Sequence, residues 1–318
     1  MGIKIVHKTR EEWLADRKKD ITSTDVSALF GVSPYKSYRQ LWEQKKHGHD
    51  DSIEETERMR AGLYLESGIA SWAIDELKRE HGHIIGEKVN TYERDEADRM
   101  GSSFDWILID GYGRKMILEI KNVDGYIFKR NWGVDENGGI VAPLHIELQL
   151  QHQLELTGID VGYLGVLVGG NSLNIVRRDR NRMVGQNIRR KIREFWSSID
   201  ADEPPAYDYS MDHVYVLELA SSVQAVGECQ ASEEVESLMA QYLEARRISK
   251  ESDDTCKALR AQITHMTQDY SKVIGRDWVV DTRLVGVSPG KAVTQDMVGT
   301  VVGSKAGYRQ FRITEAQQ

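Results

Sequence analysis

Two runs decide the fold: Ser103-Phe104-Asp105-Trp106-Ile107-Leu108-Ile109-Asp110 and Lys115-Met116-Ile117-Leu118-Glu119-Ile120-Lys121-Asn122. Residues 104–109 and 116–123 read as strands, and Gly111 and Gly113 supply a hairpin turn between them. Side chains two apart on a strand share a face. Glu119 and Lys121 therefore point one way, and Leu118 and Ile120 the other. An Asp105 presented at the strand end beside them gathers two carboxylates and an ammonium in one cleft. Mg2+ takes hard oxygen ligands and keeps several waters, so Asp105, Glu119 and the backbone carbonyl of Ile120 are candidate ligands. Such an ion polarises a phosphate and lowers the pKa of an attacking water. Lys121 is then placed to orient that water or to stabilise charge on phosphoryl oxygens. The plainer alternative is a surface hairpin with alternating ionic side chains.

Upstream, residues 1–20 read as a short amphipathic lead-in. Residues 21–48 read as a helix capped by Ser23 or Thr24, a turn at Val32-Ser33-Pro34, and a second helix carrying Leu41 and Trp42. A longer helix over 54–80 shows the stripe Leu65, Ile69, Trp72/Ala73 and Leu77. Glu66 interrupts an apolar face with Leu63, Ile69, Ala70 and Ala73. An unpaired charge buried there costs several kcal/mol. Glu66 thus needs a metal at the sheet edge, reached directly or through water; the alternatives are a salt bridge with Arg60 or a partly exposed position.

Residues 84–92 read as a strand. Downstream, Pro143 closes a glycine- and aromatic-rich run, and 145–156 reads as a helix. On it Gln149 shares a face with His145 and His152 and can bond a phosphate or a metal-bound water, whereas Gln151 points elsewhere. A strand over 161–168, its return at 173–177 and a basic helix over 182–199 precede a break at Asp202-Glu203-Pro204-Pro205. The domains expected are 1–205 and 206–318. In the second, 212–222 is strand-like, 233–248 and 254–270 form an αα-hairpin, and 278–284, 292–302 and 308–313 are short β-like pieces.

Of 318 residues, 40% are hydrophobic and 29% charged, the composition of a globular chain. Two cysteines, Cys229 and Cys256, exclude a disulfide framework or a cysteine-based zinc cluster. No apolar run reaches the ~20 residues of a membrane span, and the first residues lack the apolar core of a signal peptide; an intracellular protein with no membrane partner is expected. The net charge of -8 argues globally against a nucleic-acid binder, but the distribution is uneven. Between Arg177 and Arg193 stand eight Lys/Arg residues against one acid.

These residues jointly resemble the YqaJ-like viral recombinase family, a branch of the restriction-endonuclease-like PD-(D/E)xK nucleases, over about residues 20–200. Gly31-Val32-Ser33-Pro34-Tyr35 resembles the family's Gly-x-Ser-x-Tyr, and Arg60 to Glu66 its Arg-x-Gly-x-x-x-Glu helix. Asp105 stands for the catalytic aspartate, Glu119-Ile120-Lys121 for the Glu-x-Lys pair and Gln149-Leu150-Gln151 for the Gln-x-Gln helix. Phe104 replaces the proline that often precedes the aspartate.

The resemblance implies an α/β fold with a restriction-endonuclease-like mixed central sheet flanked by helices, here followed by the helical hairpin and a small β-rich appendage. It implies a Mg2+-dependent exonuclease, Mn2+ being a possible substitute, that degrades the 5′-ended strand of linear duplex DNA in phage recombination. Its partners would be double-stranded DNA ends, further copies of itself in a toroidal trimer, and a single-strand annealing protein. The setting would be the cytoplasm of a phage-infected or prophage-bearing bacterium. Alternatives are an endonuclease or single-strand nuclease with the same centre, and a noncatalytic DNA-end-binding scaffold.

For DNA contact, Arg182, Arg189 and Arg193 line one side of the basic helix and Arg190 widens the patch. Ser33 and Tyr35, beside Arg39 or Arg60, suit a terminal 5′ phosphate. Gln151 joins this set as part of the Gln-x-Gln pair. Trp106, Tyr126 and Trp132 are candidates for base stacking.

Overall fold

The computed structural model describes residues 2–48, 56–136, 138–224, 227–276 and 279–281. Two compact units divide the chain, Met1–Ala220 and Ser221–Gln318. The first begins with β1 (Ile3–Ile5), α1 (Arg10–Lys19), β2 (Ile21–Thr22), α2 (Val26–Leu29), α3 (Tyr38–His47) and α4 (Glu57–His81). Five strands follow: β3 (Ile84–Lys88), β4 (Tyr92–Asp95), β5 (Met100–Ser103), β6 (Trp106–Asp110) and β7 (Lys115–Val123). Then come α5 (Gly125–Asn131), β8 (Gly133–Val134), β9 (Ile140–Val141) and α6 (Leu144–Thr157). The last are β10 (Val161–Val168), β11 (Ser172–Asp179), α7 (Arg182–Asp200) and α8 (Tyr209–Ser222).

The central sheet has five strands in the order β11-β10-β7-β6-β3. β7 and β10 run parallel and the other neighbours antiparallel, so the sheet is mixed as expected. A parallel pair needs a crossover, and the chain from α5 through α6 provides it. α4 covers one face, where Leu118 and Ile120 pack with Ile69, Ala73 and Tyr163. α6 and α7 cover the other, where Ile117, Leu164 and Val166 meet Leu150, Leu154 and Ile188. Gly86 lets α4 approach closely, since a Cβ there would stand 2.3 Å from Cδ1 of Ile74.

A second, four-stranded sheet, β1-β4-β5-β2, was not expected. It ties the N-terminal residues into the fold, and 84–92 is broken between two sheets. Beneath it lies a charged network. Asp25 is buried against Lys45 Nζ at 3.0 Å, with Lys36 at 3.3 Å. Burial opposes the Asp25 carboxylate, but the two ammonium groups hold its pKa well below the usual range. Asp25, rather than Ser23 or Thr24, stands at the start of α2. On α4 the inward residues are Ile69, Ala70, Ala73 and Leu77; Leu63, Leu65 and Trp72 are exposed, correcting the expected stripe. Among the described residues no helix is long and apolar enough to cross a membrane.

The remaining elements are α9 (Glu233–Thr267), β12 (Lys272–Ile274) and β13 (Val279–Asp281). The expected αα-hairpin is instead one continuous 35-residue helix, because nothing between Ile248 and Asp254 is glycine or proline. Residues 212–222, read as strand-like, belong to helix α8. β12 and β13 pair antiparallel. The β-like pieces at 292–302 and 308–313, and most of 278–284, lie outside the described residues.

Candidate active site

β6 and β7 pair with Trp106 opposite Leu118 and Ile107 opposite Ile117. Asp105, just before β6, accepts a hydrogen bond at Oδ2 from the Ile120 backbone N–H at 2.8 Å, which fixes its carboxyl against β7. Glu119 points to the α6 side of the sheet and is 4% exposed. Its Oε1 accepts from Lys121 Nζ at 2.7 Å and from the Gln149 amide. Lys121 also donates to Gln149 Oε1 at 3.1 Å, closing a ring of three side chains.

Glu119 Oε2 accepts from Gln153 Nε2 at 2.8 Å. The two glutamines that matter here stand four apart on α6, where helical geometry puts them on one face. The sequence reading missed Gln153 by following the Gln-x-Gln pattern; the i, i+4 spacing was the available signal. Gln151 Nε2 donates to the Asp179 carbonyl at 2.9 Å and its Oε1 accepts from Asn181 N–H at 2.8 Å. That fastens α6 to the start of α7 and engages both ends of the Gln151 amide within the fold. His152 is fully buried, bonds the Ile21 carbonyl at 3.2 Å and has a pKa pushed down to about 4 by burial.

The site carries surplus negative charge. Burial, then the neighbouring Glu119, push the Asp105 carboxyl up to about 8, and Glu66 adds to the effect. Burial works against the Lys121 ammonium, yet Glu119 and Asp105 outweigh it and raise its pKa. Lys121 thus keeps its proton and acts as a cation. Glu66 Oε1 is buried without a hydrogen bond, although Lys88 Nζ stands 3.2 Å away; this pair replaces the anticipated one with Arg60.

A buried carboxylate oxygen with no hydrogen bond, answered only by the Lys88 ammonium, and a carboxyl destabilised by another carboxylate both fit a divalent cation. The donors are hard oxygens, suited to Mg2+ or Mn2+. Among the described residues no group of three or more His, Cys, Asp and Glu forms a ready-made cage. Mg2+ needs none, since one or two carboxylates with waters suffice. Asp105 and Glu119 would hold the ion, with Glu66 and the Ile120 carbonyl on the wall beside them. When bound, it would supply phosphate polarisation and a more acidic water.

These residues line a cleft of about 920 Å3. Its other wall includes Arg10, Trp13 and Arg17 of α1, which the sequence reading passed over as a lead-in. Trp13 Nε1 donates to Ser103 Oγ at 3.0 Å and the Arg17 guanidinium lies 4.5 Å from the Trp13 ring. A non-local bond of this kind leaves no periodic trace in the sequence.

Residues 12–160 match the YqaJ-like viral recombinase domain, and that stretch contains every cleft residue from Trp13 to Gln153. The chain thus carries a YqaJ-like viral recombinase domain. It is 26% identical over 268 residues to the uncharacterized protein YqaJ of Bacillus subtilis (strain 168), covering 82% of this chain and 79% of that protein. Among solved structures it is similar to the alkaline exonuclease LHK-Exo of Laribacter hongkongensis, with TM-score 0.45 and 16% identity over 65% of this chain and 99% of that one. It is also similar to a putative exonuclease of Eubacterium rectale, with TM-score 0.39 and 11% identity over 71% and 97%.

Outside the cleft, many of the expected DNA contacts are used internally. Arg189 reaches Glu155 at 2.6 Å, Asp95 at 2.8 Å and Asp98 at 2.6 Å. Arg193 pairs with Asp98 at 2.6 Å and Arg190 with Glu194. The α7 patch is therefore largely neutralised, Arg189 and Arg193 by acids from other elements and Arg190 by an acid of α7 itself. Arg39 bonds the Pro205 carbonyl at 2.8 Å, pairs with Glu43 at 2.6 Å and stacks on Tyr207, so it anchors the chain after α7. Ser33 Oγ accepts from the N–H groups of Tyr35 at 3.2 Å and Lys36 at 3.3 Å, a local turn cap. Tyr35 is exposed, edge-on to His145. Arg60 and Arg182 are exposed at the first turns of α4 and α7, with no ion pair among the described residues. Trp132 stacks on Phe128 in the core, Trp106 is partly buried, and Tyr126 remains exposed.

Proposed function

We propose that this YqaJ-like chain is a metal-dependent exonuclease that degrades the 5′-ended strand of linear double-stranded DNA for phage-type recombination. The observation that supports this best is the convergence of Asp105, Glu119 and Lys121, with Gln149 bridging the last two, in a cleft open to solvent. Asp105 and Glu119 bind Mg2+, or Mn2+ in its place. Lys121, held protonated, steadies the negative charge that grows on the phosphoryl oxygens. Gln149 orients Lys121 and Glu119 relative to each other. Arg10 and Arg17 on the opposite wall, with exposed Arg60 and Arg182, contact phosphates without reading sequence.

Residues 1–205 act as the nuclease and 206–318 as a protein-contact region. A ring of three copies around the duplex would give processivity by topology rather than by affinity, and a single-strand annealing protein would take up the exposed 3′-ended strand. The setting is the cytoplasm of a phage-infected or prophage-bearing bacterium.

The deciding test is a digestion time course with and without Mg2+, on linear duplex labelled at either end, closed circles and single strands. Metal-dependent release of mononucleotides from the 5′-labelled strand, with circles intact, is expected. Cutting of circles would favour an endonuclease, preference for single strands a single-strand nuclease, and binding without hydrolysis a scaffold.

A further inference from the structure

α9 runs for 35 residues, about 52 Å, and none of them is buried. Most helical stability in proteins comes from packing a face, so such a helix calls for a partner. Val235, Leu238 and Tyr242 in its first half, and Leu259, Ile263 and Met266 in its second, lie on one seam. Ala245, Ser249, Ser252 and Cys256 continue the same seam between them. The steps alternate three and four residues without a break, the 3.5-residue repeat of a left-handed coiled coil. All ten positions are exposed.

The order of sizes along the seam identifies the occupant. Placed antiparallel to itself, with a two-fold axis between Ser249 and Ser252, the seam matches layer by layer. Val235 faces Met266 of the other helix, Leu238 faces Ile263 and Tyr242 faces Leu259. Ala245 then faces Cys256, and the serines meet at the axis. Large residues pair at both ends and small ones allow close approach at the crossing. A two-fold interface of this kind is self-complementary.

Charge selects the direction. Arg246 and Asp253 both occupy the e position beside the seam. In the antiparallel pair e faces e, so Arg246 of one copy stands opposite Asp253 of the other, twice. In a parallel pair e faces g, and Arg246 would meet Gln241 while Asp253 would meet Ile248. Asp253 pairs with Lys257 on its own helix, an exposed contact that is weak enough to share.

We infer that α9 is an antiparallel coiled-coil dimerisation element whose partner is α9 of a second copy of this chain. The layers are those a hairpin would make within one chain by folding back near residue 250. The continuity of α9 transfers them to another molecule. The inference is independent of the nuclease reading.

The test uses the full chain. Cys229→Ser leaves Cys256 as its sole cysteine, and adding Ala245→Cys places a thiol in the facing layer. Mild oxidation should give a disulfide-linked dimer with both substitutions and none with Cys229→Ser alone. A linked dimer from Cys229→Ser alone would indicate parallel helices, and a bridge within one chain a hairpin. Either result, or no bridge at all, overturns the proposal. Separately, Leu238→Glu with Ile263→Glu should halve the mass measured by light scattering, from two copies to one or from two joined rings to one; an unchanged mass rejects pairing between such units.

Discussion

On α7, Arg189 meets Asp95, Asp98 and Glu155, and Arg193 meets Asp98. In the cleft, Glu66 meets Lys88 and Glu119 meets Lys121, but the buried Asp105 carboxyl beside them makes no ion pair among the described residues and is destabilised by Glu119. The two regions hold comparable side chains and treat them in opposite ways. Where each charge has its counter-charge the group is structural, and little attraction is left for a ligand. Where like charges are held together against their own repulsion, the protein has spent stability to keep them, and that is the signature of a functional site. By this measure the cleft is the candidate place of chemistry, and α7 clamps the second sheet to α6.

The largest effect that could break the contrast is at the carboxylates. Asp105→Ala or Glu119→Ala should cost several kcal/mol of transition-state stabilisation, roughly a 10³-fold loss of turnover. Asp105→Ala should retain folding, since it relieves repulsion at Glu119, whereas Glu119→Ala also leaves Lys121, Gln149 and Gln153 without their acceptor and should lower the melt. Single-turnover cleavage beside a thermal melt checks both, and near-normal cleavage by a folded variant would end the assignment. Lys121→Ala comes next, with a roughly 10²-fold fall in kcat. DNA affinity should change little, which a filter-binding titration reads separately; equal losses in both would make Lys121 a binding residue instead.

Gln153 sharpens the comparison because it belongs to neither class. It is fully buried, holds Glu119 Oε2, and leaves its own Oε1 without a partner. Groups that orient a ligand in this way typically affect metal affinity or activity by about 10- to 100-fold. Gln153→Leu should therefore weaken Mn2+ binding, measured by electron paramagnetic resonance, by about tenfold. Unchanged Mn2+ affinity would reduce Gln153 to a packing residue.

How much of this was visible in the chain depends on the distance over which each feature is determined. Asp105, Glu119 and Lys121 sit on one hairpin, whose period-two pattern and glycine turn are local, so the heart of the site was legible. Gln153 was legible in principle, through helical periodicity, but the adjacent Gln151 offered a more familiar spacing. The fates of Arg189 and Arg193 were not, because their partners at 95, 98 and 155 come from β4, the turn after it and α6, brought together only by the tertiary fold. The four-stranded sheet is built from strands of two to four residues, too short to show alternation. α8 carries β-branched residues at Val214 and Val216 and still folds as a helix. There the first turn is fixed from outside, by Asp212 accepting from the Ser37 hydroxyl.

The smallest effects lie on α7, and they test the contrast most directly. Arg189→Ala removes a side chain that answers three acids. Its partners retain other cations, Arg180 for Glu155 and Arg193 for Asp98, so a thermal melt should show a loss of about 2 kcal/mol, below that of a fully buried pair. Because Arg189 is already neutralised, the slope of log affinity for DNA against log salt should not move. Arg182→Ala, which breaks no ion pair, should leave the melt unchanged and lower that slope by about 0.9 if it contacts one phosphate. If the outcomes are reversed, with Arg189 setting the salt slope and Arg182 silent, the ion pairs on α7 must open for DNA. Balanced charge would then be a closed state of the binding face rather than a sign that the face is structural.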